Sequence, residues 1–370
     1  MPTEAQVREI AAAFRIKGDF TGIDLDFGDG HINSTCRLEV VDAAGKESKY
    51  ILQRINKNVF KDPVKVMDNV VRVTEHFRRK LAAEGRDPTR ETLTFLPTGE
   101  GLYYHVDTEG EYWRCYNYID NVYTLQLVEN PGDLREAGRA FGRFQQMLAD
   151  FPAEELHDTI PNFLHAPLRV KALERAIYED VVDRNMTCQA EIEFAAEKAS
   201  KSGWLVDRLE AGILPQRVTH NDTKINNVLF DCATREALCV IDLDTVMPGL
   251  VAYDFGDGIR FGASTALEDE HDLDKVRLDL DLYRAFAEGF LGECGKLITE
   301  AEHESLLYGA YLMTYTIGVR FLTDYLAGDV YFRTAYPKHN LVRARTQFKL
   351  VAEIERHWNE LEAIMESLRK

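Results

Sequence analysis

The 370-residue chain predicts an α+β protein with a small N-terminal lobe built on an antiparallel sheet and a larger, mainly helical C-terminal lobe. Three observations predict it. Short β-branched and aromatic runs, bounded by Gly, Asp and Asn, crowd the first third of the chain. From about residue 131 the apolar positions recur every three or four residues. One strand-rich island, residues 217–243, interrupts that helical part. The expected lobes are residues 1–120 and 121–370, joined near 118–124.

Taken in order, MPTEAQVREIAAAF reads as a short amphipathic helix, since it carries acidic residues and lacks the apolar core of a signal peptide. FTGIDLDF, STCRLEVVD, SKYILQRIN, LTFLPTG, GLYYHVD and YWRCYNYI read as strands. A helix opens between them at Asp62-Pro63, a cap followed by proline in the first turn, with Val66, Val70, Val73 and Phe77 along one face. Later faces run through Ala137, Phe141, Phe144 and Leu148, and through Tyr283, Phe286 and Phe290. Leu341 to Leu368 reads as one long C-terminal helix. In the island, NNVLF and ALCVID flank the turn DCATRE and read as a hairpin.

The composition is that of a soluble globular protein, 45% hydrophobic and 29% charged. The net charge of −18 argues against nucleic acid and anionic membrane as partners. Six scattered cysteines form no Cys-x-x-Cys pair and read as reduced thiols, so the expected location is the cytoplasm. No apolar run reaches the roughly 18 residues that would mark a membrane span.

The island begins THNDTKINN. His220, Asp222 and Asn227 keep the spacing of a kinase catalytic loop, and Lys224 follows two residues after the aspartate. Phosphoryl transfer needs these residue types. A carboxylate orients the attacking hydroxyl and accepts its proton, and cations neutralise charge dispersed over the phosphoryl oxygens. Mg²⁺ prefers oxygen ligands, which an asparagine carbonyl and a strand-terminal aspartate provide. Asp242 ends the second strand of the hairpin, and Asp244, two residues on, would lie on the same side as a second ligand or a substrate contact.

THNDTKINNVLFD and VIDLDTVMPGLVAYDFGD resemble the aminoglycoside phosphotransferase and choline kinase family, which has a protein-kinase-like bilobal fold. GHINST, YILQRIN and GDVYFRT extend the resemblance over nearly the whole chain, with greatest similarity to its N-acetylhexosamine 1-kinase branch. The resemblance implies Asp222 as catalytic base, Asn227 and Asp242 as metal ligands, and His220 as an organiser of the loop. It also implies ATP and Mg²⁺, with the anomeric hydroxyl of an N-acetylhexosamine as acceptor. Choline, homoserine, a thiosugar or an aminoglycoside are alternative acceptors, and a catalytically silent nucleotide- or sugar-binding protein is the alternative of another class.

Further residues complete the expected site. In FGDGHINST, Gly28 and Gly30 suit a phosphate-covering loop, Asn33 stands where a third glycine is usual, and His31 at the tip could reach acceptor or phosphates. In YILQRIN the phosphate partner is Gln53 or Arg54, which alternate onto opposite faces, and Glu75 is the better placed acidic partner on the following helix. Tyr116 to Ile119, including Tyr118, should present backbone groups to the adenine. Arg320, on the inward face of its helix, and Tyr331 are expected to bind the acceptor. Asp254 spells Asp-Phe-Gly with its neighbours, the magnesium turn of protein kinases, but Asp242 already holds the place after the hairpin. Asp254 is therefore expected to anchor the catalytic-loop backbone.

Overall fold

A computed structural model describes residues 2–28, 33–128 and 130–369. By compactness the chain divides into two units, and the hairpin of the island goes mostly with the N-terminal residues. The first unit comprises Met1–Tyr123, Asp150–Pro161 and Leu229–Met247; the second comprises Thr124–Ala149, Asn162–Val228 and Pro248–Lys370.

The first unit opens with α1 (Glu4–Ala11), started by a capping box in which Thr3 and Gln6 satisfy each other's backbone N–H groups. Strands β1 (Asp19–Asp24), β2 (Ser34–Val41) and β3 (Glu47–Ile55) follow. Helix α2 (Pro63–Ala83) is capped by the Asp62 carboxylate, which accepts from the Lys65 N–H. After the short α3 (Pro88–Glu91) come β4 (His105–Val106), β5 (Tyr112–Asn117) and β6 (Val122–Tyr123). The main sheet is antiparallel, in the order β1-β2-β3-β5-β4. One of its faces packs Cys36, Leu38, Leu52, Trp113 and Cys115 against Val7, Ile10 and Ala11 of α1.

LTFLPTG does not form a strand. Phe95 and Thr98 make single bridges, to Tyr116 and Phe14, and Pro97 between them has no N–H to extend a ladder. GLYYHVD contributes only the two residues of β4.

The second unit contains α4 (Pro131–Met147), α5 (Ala166–Glu179), α6 (Gln189–Lys198) and α7 (Trp204–Glu210), then β7 (Arg217–Thr219). The hairpin strands β8 (Val228–Asp231) and β9 (Ala237–Val240) join β6 in the order β6-β8-β9, and β10 (Met247–Gly249) pairs with β7. The chain continues through α8 (Val251–Gly262), α9 (Leu280–Cys294) and the 27-residue α10 (Glu300–Leu326), which is apolar nearly all round and is buried accordingly. Helices α8 and α10 cross closely. A Cβ on Gly256 would strike the Gly309 carbonyl, and one on Gly309 the Ala252 carbonyl. The expected single C-terminal helix is two, α11 (His339–Arg356) and α12 (Trp358–Ser367). The bend at His357, with φ −100° and ψ 14°, lets Trp358 pack edge-on against Tyr308 at 5.1 Å. Among the described residues no helix is long and apolar enough to cross a membrane.

Candidate active site

The loop after β7 turns sharply. Asn221 takes φ 64°, a left-handed conformation that asparagine tolerates. Its N–H donates to Asp254 Oδ1 at 2.8 Å, and that of His220 donates to Asp254 Oδ2 at 2.9 Å. Gln145 Nε2 donates to the same Oδ2 at 2.7 Å, and the Thr223 hydroxyl to the Asp254 carbonyl at 2.6 Å. One turn along α8, Asp257 accepts from the Thr223 N–H at 2.9 Å and from Arg260 Nε at 2.7 Å. Two buried carboxylates of α8 thus hold the loop backbone. Asp257 was not anticipated, although the second Asp of DFGD was visible at helical spacing from the first. Gly249 is required beside the loop, since a Cβ there would strike the Thr219 hydroxyl.

This scaffold presents Asp222, Lys224 and Asn227 together. Lys224 Nζ lies 2.8 Å from Asp222 Oδ1. Asn227 Nδ2 donates to the Asp222 carbonyl at 2.8 Å and to its Oδ2 at 3.1 Å. Burial pushes the Asp222 carboxyl up, but the Lys224 ammonium beside it wins and holds it below the ordinary value. Burial likewise opposes charge on Lys224, and Asp222, Glu268 and Asp257 keep it protonated. His220 is fully buried, with its ring edge-on to Phe141 and Phe144, and its Nδ1 accepts from the Asp222 N–H at 3.3 Å. An ionised carboxylate beside an ammonium is suited to taking a proton from a hydroxyl while a cation meets the developing charge.

Also in the second unit, Arg320 is buried on α10 among aromatic rings. Its guanidinium carbon lies 4.7 Å from the Phe163 ring centroid, 5.3 Å from Phe332 and 5.5 Å from Tyr331. Burial lowers its pKa, and Tyr331 acts in the opposite sense. Arg169, which the sequence reading missed, donates from Nε and Nη2 to the Phe163 carbonyl. Burial and the nearby Arg320 pull its pKa down to about 10. Neither arginine forms a salt bridge with a carboxylate among the described residues. Tyr331 is half exposed.

In the first unit, register across β2, β3 and β5 aligns Thr35, Gln53 and Arg114 on one face. Gln53 Nε2 donates to the Thr35 hydroxyl at 3.0 Å, and Arg114 donates to Gln53 Oε1 from Nε at 2.9 Å and Nη2 at 2.6 Å. Arg114 Nη1 pairs with Asp244 Oδ1, and Asn33 Nδ2 donates to Asp244 Oδ2 at 2.6 Å. Asp244 does not share the side of Asp242 as extended spacing implied. The strand ends at Val240, Asp242 turns left-handed with φ 59°, and a 3₁₀ turn over 243–245 carries Asp244 inward. Asp242 stays exposed, whereas Asp244 is committed to Arg114 and Asn33.

The Asn33 amide is used on both sides, its Oδ1 accepting from the Asn56 N–H at 2.9 Å. Arg54 lies on the other face of β3, opposite Trp113 of the core, and donates to Ser34. Glu75 pairs with Arg78 of its own helix at 3.5 Å. Asn69, a buried polar residue of α2, donates to the Val246 and His157 carbonyls. Gly28 has φ 84° with open space where a Cβ would be. Gly30 and His31 lie outside the described residues. Tyr116 is held in β5, where burial raises its pKa, and the Tyr118 N–H donates to the Lys49 carbonyl at 3.1 Å. Sequence reading took YWRCYNYI as a strand leading to the lobe junction and missed Arg114, although a lone cation inside an apolar strand signals a buried carboxylate partner.

Among the described residues no group of three or more His, Cys, Asp or Glu side chains is arranged to hold a metal ion. The oxygen donors available are of the kind Mg²⁺ takes with one or two protein ligands plus phosphate oxygens.

Comparison with known proteins agrees with this chemistry. A family model described as "Phosphotransferase enzyme family" (APH) matches residues 25–290. An aminoglycoside phosphotransferase from Alicyclobacillus acidocaldarius superposes with a TM-score of 0.61 at 14% identity, covering 100% of this chain and 97% of that one. An amicoumacin kinase in complex with AMP-PNP, Ca²⁺ and Ami gives 0.57 at 14% identity, covering 94% and 93%. A choline kinase from Cryptosporidium parvum Iowa II gives 0.55 at 15% identity, covering 92% and 91%. These likenesses establish the kinase-like fold, and the family match over most of the chain establishes that this protein belongs to the APH family of phosphotransferases.

Proposed function

We propose that the protein transfers the γ-phosphoryl group of ATP to the anomeric hydroxyl of an N-acetylhexosamine, giving the sugar 1-phosphate and ADP. The observation that carries the reaction class is the Asp222–Lys224–Asn227 group, held by Asp254 and Asp257. Asp222 orients the acceptor hydroxyl and takes its proton as the new O–P bond forms and the bond to the β-phosphate oxygen breaks. Lys224 meets the charge on the transferred oxygens. His220 and Asp254 shape the loop and touch no reacting atom. Asn227, whose Nδ2 is already used, would offer its Oδ1 to Mg²⁺, and the family resemblance supplies Asp242 as the other candidate ligand. Bound there, Mg²⁺ would neutralise phosphate charge.

Gln53 takes the β3 position where kinases place a lysine, and Arg114, itself neutralised by Asp244, fixes the Gln53 side chain from behind. Gly28 with Gly30, and the segment around Tyr116 and Tyr118, are the proposed nucleotide contacts. Asp244 and Asn33 serve instead as tethers.

The acceptor class rests on Arg320 and Arg169, with Tyr331. Two guanidiniums lacking a carboxylate repel a quaternary or protonated amine and suit an acceptor rich in carbonyl and hydroxyl oxygens. This weighs against an amino alcohol, despite the likeness to a choline kinase. A panel of N-acetylglucosamine, N-acetylgalactosamine, choline, homoserine and an aminoglycoside, with ATP and Mg²⁺, tests it. Turnover of the N-acetyl sugars with phosphate on C1 by NMR is expected; stimulation by choline alone overturns the acceptor. Asp222→Asn should cut kcat about 10²- to 10⁴-fold with the fold intact, and undiminished turnover would remove Asp222 as base.

A further inference from the structure

Arg320 and Asp324 stand four residues apart on α10, the spacing at which opposite charges on one helix face ordinarily meet. Both are buried, at 9% and 4% exposure, so pairing would relieve both. They do not pair. Asp324 turns to the loop beyond α10. Its Oδ1 accepts from the N–H groups of Val330 at 2.9 Å and Tyr331 at 2.8 Å, and its Oδ2 from Phe332 at 2.9 Å and from Asn340 Nδ2 at 2.8 Å. Four donors surround one carboxylate. Outside them, Asn340 Nδ2 also reaches Asp329 Oδ1 at 2.9 Å, and Arg184 holds Asp329 at 2.6 Å and the Tyr325 carbonyl at 2.7 Å.

We infer that Asp324 is a positioning residue for the acceptor site: it fixes the 330–332 backbone so that Tyr331 and Phe332 stand over Arg320, and by using its own acceptors there it leaves Arg320 without a counter-ion until the acceptor arrives. The physical reason is competition for lone pairs. A carboxylate accepting three consecutive backbone N–H groups and an amide N–H has no geometry left for a guanidinium on the previous turn. Arg320 then retains its donors for a ligand. The inference rests on the reading of Arg320 and Tyr331 as acceptor-binding residues.

The test uses Asp324→Asn in the full chain, which keeps the size of the side chain but puts an amide donor among the loop's own donors, and Asn340→Ala, which removes one donor of the four. Two measurements are made: hydrogen exchange of peptides covering 330–332, and steady-state kinetics with N-acetylglucosamine and ATP. For Asp324→Asn the expected result is exchange at 330–332 faster by about tenfold or more. The acceptor KM should rise about 10- to 100-fold, with the ATP KM within about twofold. Asn340→Ala should move the same two quantities less. Unchanged exchange and unchanged acceptor KM overturn the inference, and so does an ATP KM that rises in step with the acceptor KM, since that marks general damage. If the wild type phosphorylates neither N-acetyl sugar, the acceptor reading fails by itself, and exchange at 330–332 alone decides the clamp.

Discussion

Arg114 in the first unit and Arg320 in the second are both buried, and their surroundings treat them in opposite ways. Arg114, in β5, has its charge met by Asp244 at Nη1 and donates to Gln53 from Nε and Nη2. Arg320, in α10, has three aromatic rings around it, no salt bridge among the described residues, and an aspartate one turn away that faces elsewhere. A matched guanidinium is an internal strut: removing either member of the pair leaves a buried charge uncompensated. An unmatched one costs stability in the free protein, and it persists where a ligand completes it.

The largest expected effect breaks the strut. Asp244→Ala should lower stability by about 3–5 kcal/mol, read by denaturant unfolding, because it strands Arg114 in the core. The double variant Arg114→Met, Asp244→Leu should recover most of the loss. A single variant as stable as the wild type would show that Arg114 is not the strut described.

Next in size is the unmatched partner. Arg320→Met should raise the acceptor KM about 10- to 100-fold. Its unfolding free energy should stay level or rise, since a buried charge is replaced by an apolar chain of similar length. A loss of stability as large as that of Asp244→Ala would erase the contrast between the two arginines.

The smallest effect sharpens it with a third pair. Lys224 and Asp222 are matched yet only partly buried, so their pairing should appear in the pH profile. Because Lys224 holds the Asp222 carboxyl below its ordinary value, kcat/KM should show no acid-side fall due to Asp222 above about pH 5. Lys224→Met removes the cation, raises that pKa and moves the acid limb to higher pH, besides lowering kcat. An unmoved limb would mean that Lys224 does not tune Asp222.

Legibility in the sequence divides along the same lines. The candidate catalytic loop was readable because its residues lie close together, His220 to Asn227, where spacing alone brings side chains together. Asp254 could be separated from Asp242 by its distance from the hairpin, and the hydrogen bonds from His220 and Asn221 fall where that reading expected them. The Arg114–Asp244 pair was not readable, because 130 residues separate its members and strand register aligns Gln53 with Arg114. The side of Asp244 was misjudged by extending the strand beyond its end at Val240, past the left-handed turn at Asp242. LTFLPTG and the single C-terminal helix failed for related reasons: propensity does not report whether a neighbouring strand is there to pair, or where an aromatic side chain must pack.

By itself the sequence determined that a strand-rich part is followed by a helical part, and it pointed to a phosphotransferase family and to His220–Asn227 as the candidate loop, since periodicity encodes the first and short motifs the second. Only the tertiary structure decided which buried charges cancel and which stay open. Asp244 neutralises Arg114 while Asp324 leaves Arg320 alone, because a carboxylate pairs with whichever donors the folded backbone brings to its lone pairs, whatever the spacing along the helix or strand suggests.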